Sequence, residues 1–396
     1  MQHDSPPRTR VALAALVLGV LIASPAAAWA APRPRIRPRL DAPAMSSIGV
    51  HSMLYLTTPF VGKQAMFQEA AAVGASTIRL DVELSAVFAD ESGPPDWVGI
   101  DQYIWLARRY HLRVLADLLA TPWYLADCPG GASFAASYLC PPADPATWAR
   151  DAGAIAAHTR GVIDDFEIIN EPDGRWSFLG TPQQYAHILA ASYAAIHAAD
   201  PAARVALGGL MDIGTAGKAW LDAVFATPGI NAARSYDIGN IHVRTSAAET
   251  GPVVTGWRRY FSRRGFHGPL WVTETGYPAD PAWQTDVRYH DGPASQAAWM
   301  MCAIPAMLAA GATTVFVTER DSLAGRYASE GILRSSDPLT ADPAYVRRPS
   351  FYAIQRLARS LAGAGADQRE PASSASCGDR SGGRGCQART RTTRPC

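Results

Sequence analysis

Eight short apolar runs, each separated from the next by room for a helix, constrain this chain more than any other feature. They read SSIGVHSM (46–53), STIRLDV (76–82), LRVLADLL (112–119), DDFEIIN (164–170), ARVALGGL (203–210), YDIGNIHV (236–243), LWVTE (270–274) and TTVFVT (313–318). Between them lie segments such as KQAMFQEAAAVG and PQQYAHILAASYAAIHAAD, with apolar residues at helical spacing. Asp200-Pro201 stops the second of these before the next strand. Strands that alternate with helices predict a parallel sheet. Eight such units over about 320 residues fit a single-domain (β/α)8 barrel better than an open doubly wound sheet. An open sheet would more often carry a glycine-rich phosphate loop after its first strand, and GVHSMLY is not one.

The ends of the chain read differently. Arg8 and Arg10 precede the apolar run VALAALVLGVLIA and the small residues SPAAAWAAP, the layout of a secretory signal peptide over residues 1–31. An uncleaved anchor is the alternative, although the apolar core falls short of the roughly 20 residues that span a bilayer. A Pro/Arg-rich linker (32–45) leads into the expected barrel (46–365). The remainder (366–396) is rich in Gly, Ser, Thr and Arg, almost without large apolar residues, and is expected to be a flexible tail. The mature protein is expected to be secreted, with no stable membrane insertion.

The balance of 36 basic and 35 acidic residues leaves no electrostatic footprint for nucleic acid or an anionic membrane. Cys128 and Cys140 bracket a loop rich in Pro, Gly and Ser, where export favours a disulfide over two free thiols. Cys302, in the helix-like run AAWMMCAIPAMLAA, is expected to be a buried thiol, and Cys377, Cys386 and Cys396 belong to the tail.

In a barrel of this kind the strand C-termini face the active site. Strand four ends in Asn170-Glu171-Pro172, within FEIINEPDG, and strand seven ends in WVTETGYP with Glu274 at the matching height. Two carboxyl groups that converge from separate strands are what glycoside cleavage requires: one protonates the leaving oxygen, the other attacks the anomeric carbon. Arg79, in TIRLD, ends strand two, where a cation would keep Glu274 ionised; the plainer role is a structural ion pair with Asp81. His242 follows an apolar run and suits either the site or the core. Trp123, after strand three, and Trp176, beyond the carboxylate loop, offer rings to a sugar face or to loop packing.

From about residue 46 to 361 the sequence resembles clan A of the glycoside hydrolases, most closely its family 39-like and family 5-like members, on the text around NEP, LRVLADLLATPWYLA and the strand-seven glutamate. The resemblance implies a retaining mechanism on β-glycosidic bonds of a poly- or oligosaccharide, without a cofactor or metal. It makes Glu171 the acid/base and Glu274 the nucleophile, with carboxyl groups about 5–5.5 Å apart. Asn170 would bond the sugar 2-hydroxyl, Arg79 would stand beside the nucleophile, and His242 would be the strand-six histidine. Two departures stand out. The third place of the strand-six His-x-Tyr is Arg244, and strand eight ends in VFVTERD, with Glu319 and Arg320 in place of a tryptophan. An added arginine and an added glutamate would suit a charged sugar such as a uronic acid. The rival readings are a catalytically inactive barrel that still holds a glycan, and a metal-dependent hydrolase. The second lacks spaced His/Asp or Cys ligands, His51 standing alone on strand one.

Overall fold

The computed structural model describes residues 47–128, 134–321, 325–335 and 345–367. The expected signal peptide, the linker and almost all of the tail, with Cys377, Cys386 and Cys396, lie outside the described residues. Each of the eight expected strands forms: β1 (Ile48–His51), β2 (Thr77–Glu83), β3 (Arg113–Leu119), β4 (Asp165–Ile168), β5 (Arg204–Leu207), β6 (Gly239–Val243), β7 (Leu270–Thr275) and β8 (Thr314–Thr318). Helices α1 (Phe60–Val73), α2 (Leu84–Val87), α3 (Val98–Tyr110), α4 (Pro145–Thr159), α5 (Pro182–Ala199), α6 (Thr215–Phe225), α7 (Ala247–Ser262) and α8 (Gly292–Ala309) fill the crossovers, and α9 (Pro349–Asp367) follows β8. The hydrogen-bonded order is β5-β4-β3-β2-β1-β8-β7-β6, with every pair parallel. Isolated parallel bridges, Ala206 to Ile238 and Leu210 to Ile241, join β5 to β6. The result is a nearly closed (β/α)8 barrel in a single domain.

Local chemistry explains the elements. In α5, Thr181 accepts from the Gln184 backbone while the Gln184 side chain accepts from Thr181, and Pro182 opens the first turn. Helix α1 ends on Gly74, whose left-handed φ of 85° lets its N–H cap the last turn. Along the strands, alternate residues point outward to the helices: Ile78, Leu80 and Val82 of β2, and Val114, Ala116 and Leu118 of β3, belong to one buried apolar layer. A second apolar cluster of Leu115, Ala206, Ile238, Trp271 and Phe316 plugs the barrel interior. Gly49 makes that plug possible, since a Cβ there would fall 2.4 Å from the Phe316 ring.

Above the plug the interior turns polar. His51, Arg79, Asp117, Glu167, Asn240, His242 and Thr273 are all buried. Burying this many polar groups is tolerable only when they bond one another, so the upper barrel reads as a built site rather than a core. The loop after β3 is tied by the Cys128–Cys140 disulfide, with a Cα–Cα distance of 5.1 Å. Cys302 departs from expectation: it is only half-buried where it packs against the core, and it is disulfide-bonded rather than a free thiol. Among the described residues, no helix is long and apolar enough to cross a membrane.

Candidate active site

The end of β4 presents its polar residues through an unusual backbone. Ile169 and Glu171 both take left-handed conformations, with φ of 63° and 40°. A β-branched residue there carries a strain of about 1–3 kcal/mol, which the surrounding contacts must offset. Asp173 supplies part of that restraint by accepting from the backbone N–H groups of Met211 and Asp212 at 3.0 and 2.9 Å. The turn aims both Asn170 and Glu171 into the barrel mouth.

At β7 the device is a bulge. Val272 pairs with Val315 and Thr275 with Val317, so two residues of β7 oppose one of β8. Strict alternation would turn Glu274 outward once Thr273 faces inward. The extra residue re-aims the strand, and both side chains enter the barrel.

Arg79, fully buried, is the hub. Its Nε and Nη2 donate to the two oxygens of Glu167 at 2.7 and 3.0 Å, and Nη2 also reaches Asp117 Oδ2 at 2.9 Å and Asn170 Oδ1 at 2.8 Å. Nη1 donates to Glu274 Oε1 at 2.9 Å. Asp81, the partner suggested by the plainer role, is not in this set. Because Arg79 occupies Asn170 Oδ1, the amide nitrogen of Asn170 is the end left to face the cleft.

Glu274 Oε2 accepts from Arg244 Nη2 at 2.9 Å. Burial alone would raise the Glu274 carboxyl, but the electrostatic pull of the basic groups around it, His242, His51, Arg244 and Arg79, outweighs burial and holds the group well below the usual carboxylate range. His51 Nδ1 stands 3.4 Å from Glu274 Oε1. Burial lowers His51 to about 3, so this imidazole is neutral at ordinary pH and the two guanidinium groups are the lasting charges.

Glu171 has two neighbours of its own: Trp176 Nε1 donates to Oε2 at 2.8 Å, and His242 Nδ1 lies 2.8 Å from Oε1. The other ring nitrogen of His242 meets Thr273 Oγ1 at 3.1 Å, and Thr273 donates in turn to Asn240 Oδ1 at 2.8 Å. Gly209 allows the ring this position, because a Cβ would fall 2.0 Å from His242 Nε2. Oxygens of Glu171 and Glu274 and a nitrogen of His242 all lie within 4.8 Å of one another. That trio has the spacing of a metal site but not the charge: two guanidinium groups at 2.9 Å from Glu274 oppose a cation.

The site opens into a cleft of about 550 Å³ walled by Tyr55, Tyr138, Trp176 and Tyr327, with Asp81 and Glu330 among the polar lining. Burial, reinforced by nearby carboxylates, pushes Asp81 up to about 7 despite the attraction of Arg79. Of the residues singled out from sequence, Asn170, Arg79, His242 and Trp176 gather with Glu171 and Glu274. Trp123 does not: it is 52% exposed, its Nε1 donates to Ala89 O at 3.3 Å, and it is absent from the cleft lining. The pairing suggested for a charged sugar also fails. Glu319 is buried against Ser52, Arg320 donates to the carbonyls of Ser52 and Met53, and Arg244 is matched by Glu274 and Glu330. Tyr55, Tyr138, Tyr327 and Glu330 escaped sequence reading because they sit on loops and short 3-10 turns without periodicity, and His51, which stood alone on its strand in the sequence, meets Glu274 from another strand.

No protein-family model matches the chain, and no curated protein sequence does. Solved structures do share its architecture. One is a family 39 glycoside hydrolase from the gut symbiont Bacteroides cellulosilyticus WH2, with TM-score 0.62 and 16% identity over 82% of this chain and 65% of that one. The chain therefore spans just under two thirds of that structure's length. Others are GH5_18 from Streptomyces cattleya in complex with GlcNAc (TM-score 0.58, 17% identity, 82% of each chain) and a GH39 β-xylosidase from Caulobacter crescentus (TM-score 0.54, 18% identity, 79% of this chain and 71% of that one). At these identities the likeness is one of fold: the chain carries the (β/α)8 barrel found in glycoside hydrolases of families 39 and 5.

Proposed function

We propose that the protein is a secreted, retaining glycoside hydrolase that cleaves β-glycosidic bonds of a poly- or oligosaccharide. The observation that carries this reading is the placement of Glu171 and Glu274, with oxygens within 4.8 Å across the barrel mouth and different surroundings. Inverting enzymes keep their carboxyl groups about 6.5–9.5 Å apart to seat a water, and an oxygen-to-oxygen approach within 4.8 Å favours the closer, retaining arrangement. Glu274, held ionised by two guanidinium groups, is the nucleophile. Glu171, hydrogen-bonded by an indole N–H and in contact with His242 rather than tied by two guanidinium groups, is the proton carrier.

In the first step Glu274 attacks the anomeric carbon while the bond to the leaving oxygen breaks, and that oxygen takes the proton of Glu171. In the second, water attacks the same carbon, Glu171 takes its proton, and the bond to Glu274 breaks with its electron pair returning to the carboxylate. The amide nitrogen of Asn170 is placed to donate to a sugar hydroxyl, and the aromatic walls offer faces for further sugar units. The Cys128–Cys140 disulfide and the N-terminal pattern support export.

One observation favours a second reading, a barrel that holds glycan without turning it over: a carboxylate tied by two arginines is a weak nucleophile. Reducing-end release from a panel of β-linked polysaccharides and oligosaccharides, run beside Glu274→Ala, separates the two. Release by the wild type alone supports the hydrolase. Equal binding by both proteins with no release supports the glycan holder, and equal release by both removes Glu274 from the reaction.

A further inference from the structure

The residue just past the end of β6 that faces the nucleophile is an arginine, and the structure builds a support behind it. Arg244 Nη2 donates to Glu274 Oε2 at 2.9 Å, while Nε lies 3.2 and 3.1 Å from the two oxygens of Glu330. The Tyr327 ring lies 5.1 Å from the guanidinium carbon. Glu330 is almost fully buried and also accepts from Thr318 Oγ1 at 3.2 Å. Its backbone is pinned as well. Gln296 Nε2 reaches the carbonyls of Ser329 and Glu330 at 3.1 Å each, and Arg348 Nη1 donates to Gly331 O at 2.7 Å. The guanidinium thus cannot swing away from Glu274 without leaving Glu330 buried and unpaired, which is costly.

Both oxygens of Glu274 are therefore claimed by fixed cations, Oε1 by Arg79 and Oε2 by Arg244. We propose that Arg244, held by Glu330, is a positioning residue that sets the relative speed of the two half-reactions, making attack by Glu274 slow and its departure fast. The inference rests on the retaining mechanism proposed above. Its physical basis is the change of charge on Glu274. In the attack, a negative carboxylate becomes a neutral ester and loses most of its attraction to Arg244, so the arginine opposes bond formation. In the second step, the carbon–oxygen bond breaks and returns the electron pair to Glu274, and the same arginine stabilises the departing carboxylate. Glycosylation should limit the wild type, and the glycosyl-enzyme should not accumulate. A neutral hydroxyl donor in the same place would bias the two steps much less, because it interacts far less strongly with the carboxylate charge.

The test is Arg244→Gln, with Arg244→Lys as the charge-conserving control, on a β-glycoside with an activated aryl leaving group. The wild type should show no burst of phenol. Arg244→Gln should show a burst of about one equivalent, with kcat and KM falling together by about tenfold while kcat/KM holds or rises. Arg244→Lys should stay near the wild type. A loss of kcat/KM without a burst would mean that Arg244 only supports the fold, and would overturn the proposal. A readout independent of turnover is the titration of Glu274, followed by carbon-13 NMR of labelled glutamate and assigned with Glu274→Gln. It should move up by about one pH unit or more in Arg244→Gln. If the wild type cleaves nothing, the hydrolase reading falls and with it the kinetic role. If the wild type cleaves but the Glu274 titration is unmoved in Arg244→Gln, the hydrolase reading stands and this inference fails.

Discussion

His242 Nδ1 lies 2.8 Å from Glu171 Oε1, and the bonds on the far side of the ring dictate what that contact carries. Asn240 Nδ2 donates to Leu207 O at 3.0 Å, which leaves Asn240 Oδ1 as an acceptor. Thr273 donates to it, so Thr273 Oγ1 must accept from His242 Nε2–H. With Nε2 protonated, a hydrogen bond between Nδ1 and Glu171 needs one proton, carried by either partner. In the mechanism proposed above, the chain from Leu207 to Glu171 would orient the proton for the leaving oxygen. His242→Gln should lower kcat/KM on poor leaving groups by about 10–100-fold, the usual scale for a misplaced acid, while activated aryl substrates suffer much less. Equal losses on both substrates would remove His242 from proton handling.

The remaining contact of Glu171 is testable separately. Trp176 is 59% exposed, yet its Nε1 donates to Glu171 Oε2 at 2.8 Å. Trp176→Phe keeps a ring in the cleft wall and deletes the donor. Activity should fall by about tenfold, equivalent to one hydrogen bond to a carboxylate, with thermal stability nearly unchanged. A large drop in melting temperature would show instead that the indole holds the loop together.

The architecture was legible because period-two strands and helical segments alternate eight times, and alternation of that kind has few packed solutions. Asn170, Glu171, Arg79, His242 and Glu274 were legible because strand ends face one mouth. Trp123 was misplaced because a ring three or four residues beyond a strand end is free to turn away from the mouth, here toward Ala89. The bulge in β7 left no mark in the text WVTET, although it decides which way Glu274 points. Arg244 was visible as a departure, but its partner Glu330 is 86 residues away, on a loop whose path nothing in the sequence dictates.

Gly209 offers a steric check on the same site. A Cβ added there would meet His242 Nε2 at 2.0 Å, so the ring must shift or β5 must move. Gly209→Ala should cost about 1–3 kcal/mol, in the range of overpacked cores, and should reduce activity along with His242→Gln. Combining the two substitutions should give less than the sum of their separate activity losses, because both act through one ring. Full additivity would mean that Gly209 serves another contact.

Charge in the cleft bears on the choice of sugar. Arg79 is matched by Glu167, Asp117 and Glu274, and Arg244 by Glu274 and Glu330. Neither cation is spare, and a uronate would add an unpaired negative charge beside Glu330. Neutral β-linked glycans should be cleaved at least about tenfold faster than the corresponding uronic chains, the order expected for an unscreened like-charge contact. Faster cleavage of uronic substrates would show that substrate breaks the Arg244–Glu330 pair.

Outside the cleft, Glu319 links the barrel wall to acid stability. It is fully buried, bonded to Ser52, and pushed by burial up to about 8. A carboxyl raised on folding keeps a proton that the unfolded chain has released, so stability falls as pH rises from the unfolded value, about 4.3, toward 8. Each pH unit in that window corresponds to about 1.4 kcal/mol, an upper figure for one group. Glu319→Gln retains the shape and an acceptor oxygen for the Ser52 hydroxyl and removes the titration. Denaturant unfolding of the two proteins should therefore converge near pH 4 and separate progressively above it, with the variant the more stable at pH 8. Parallel stability curves across that range would mean that Glu319 ionises in the fold as readily as in the unfolded chain.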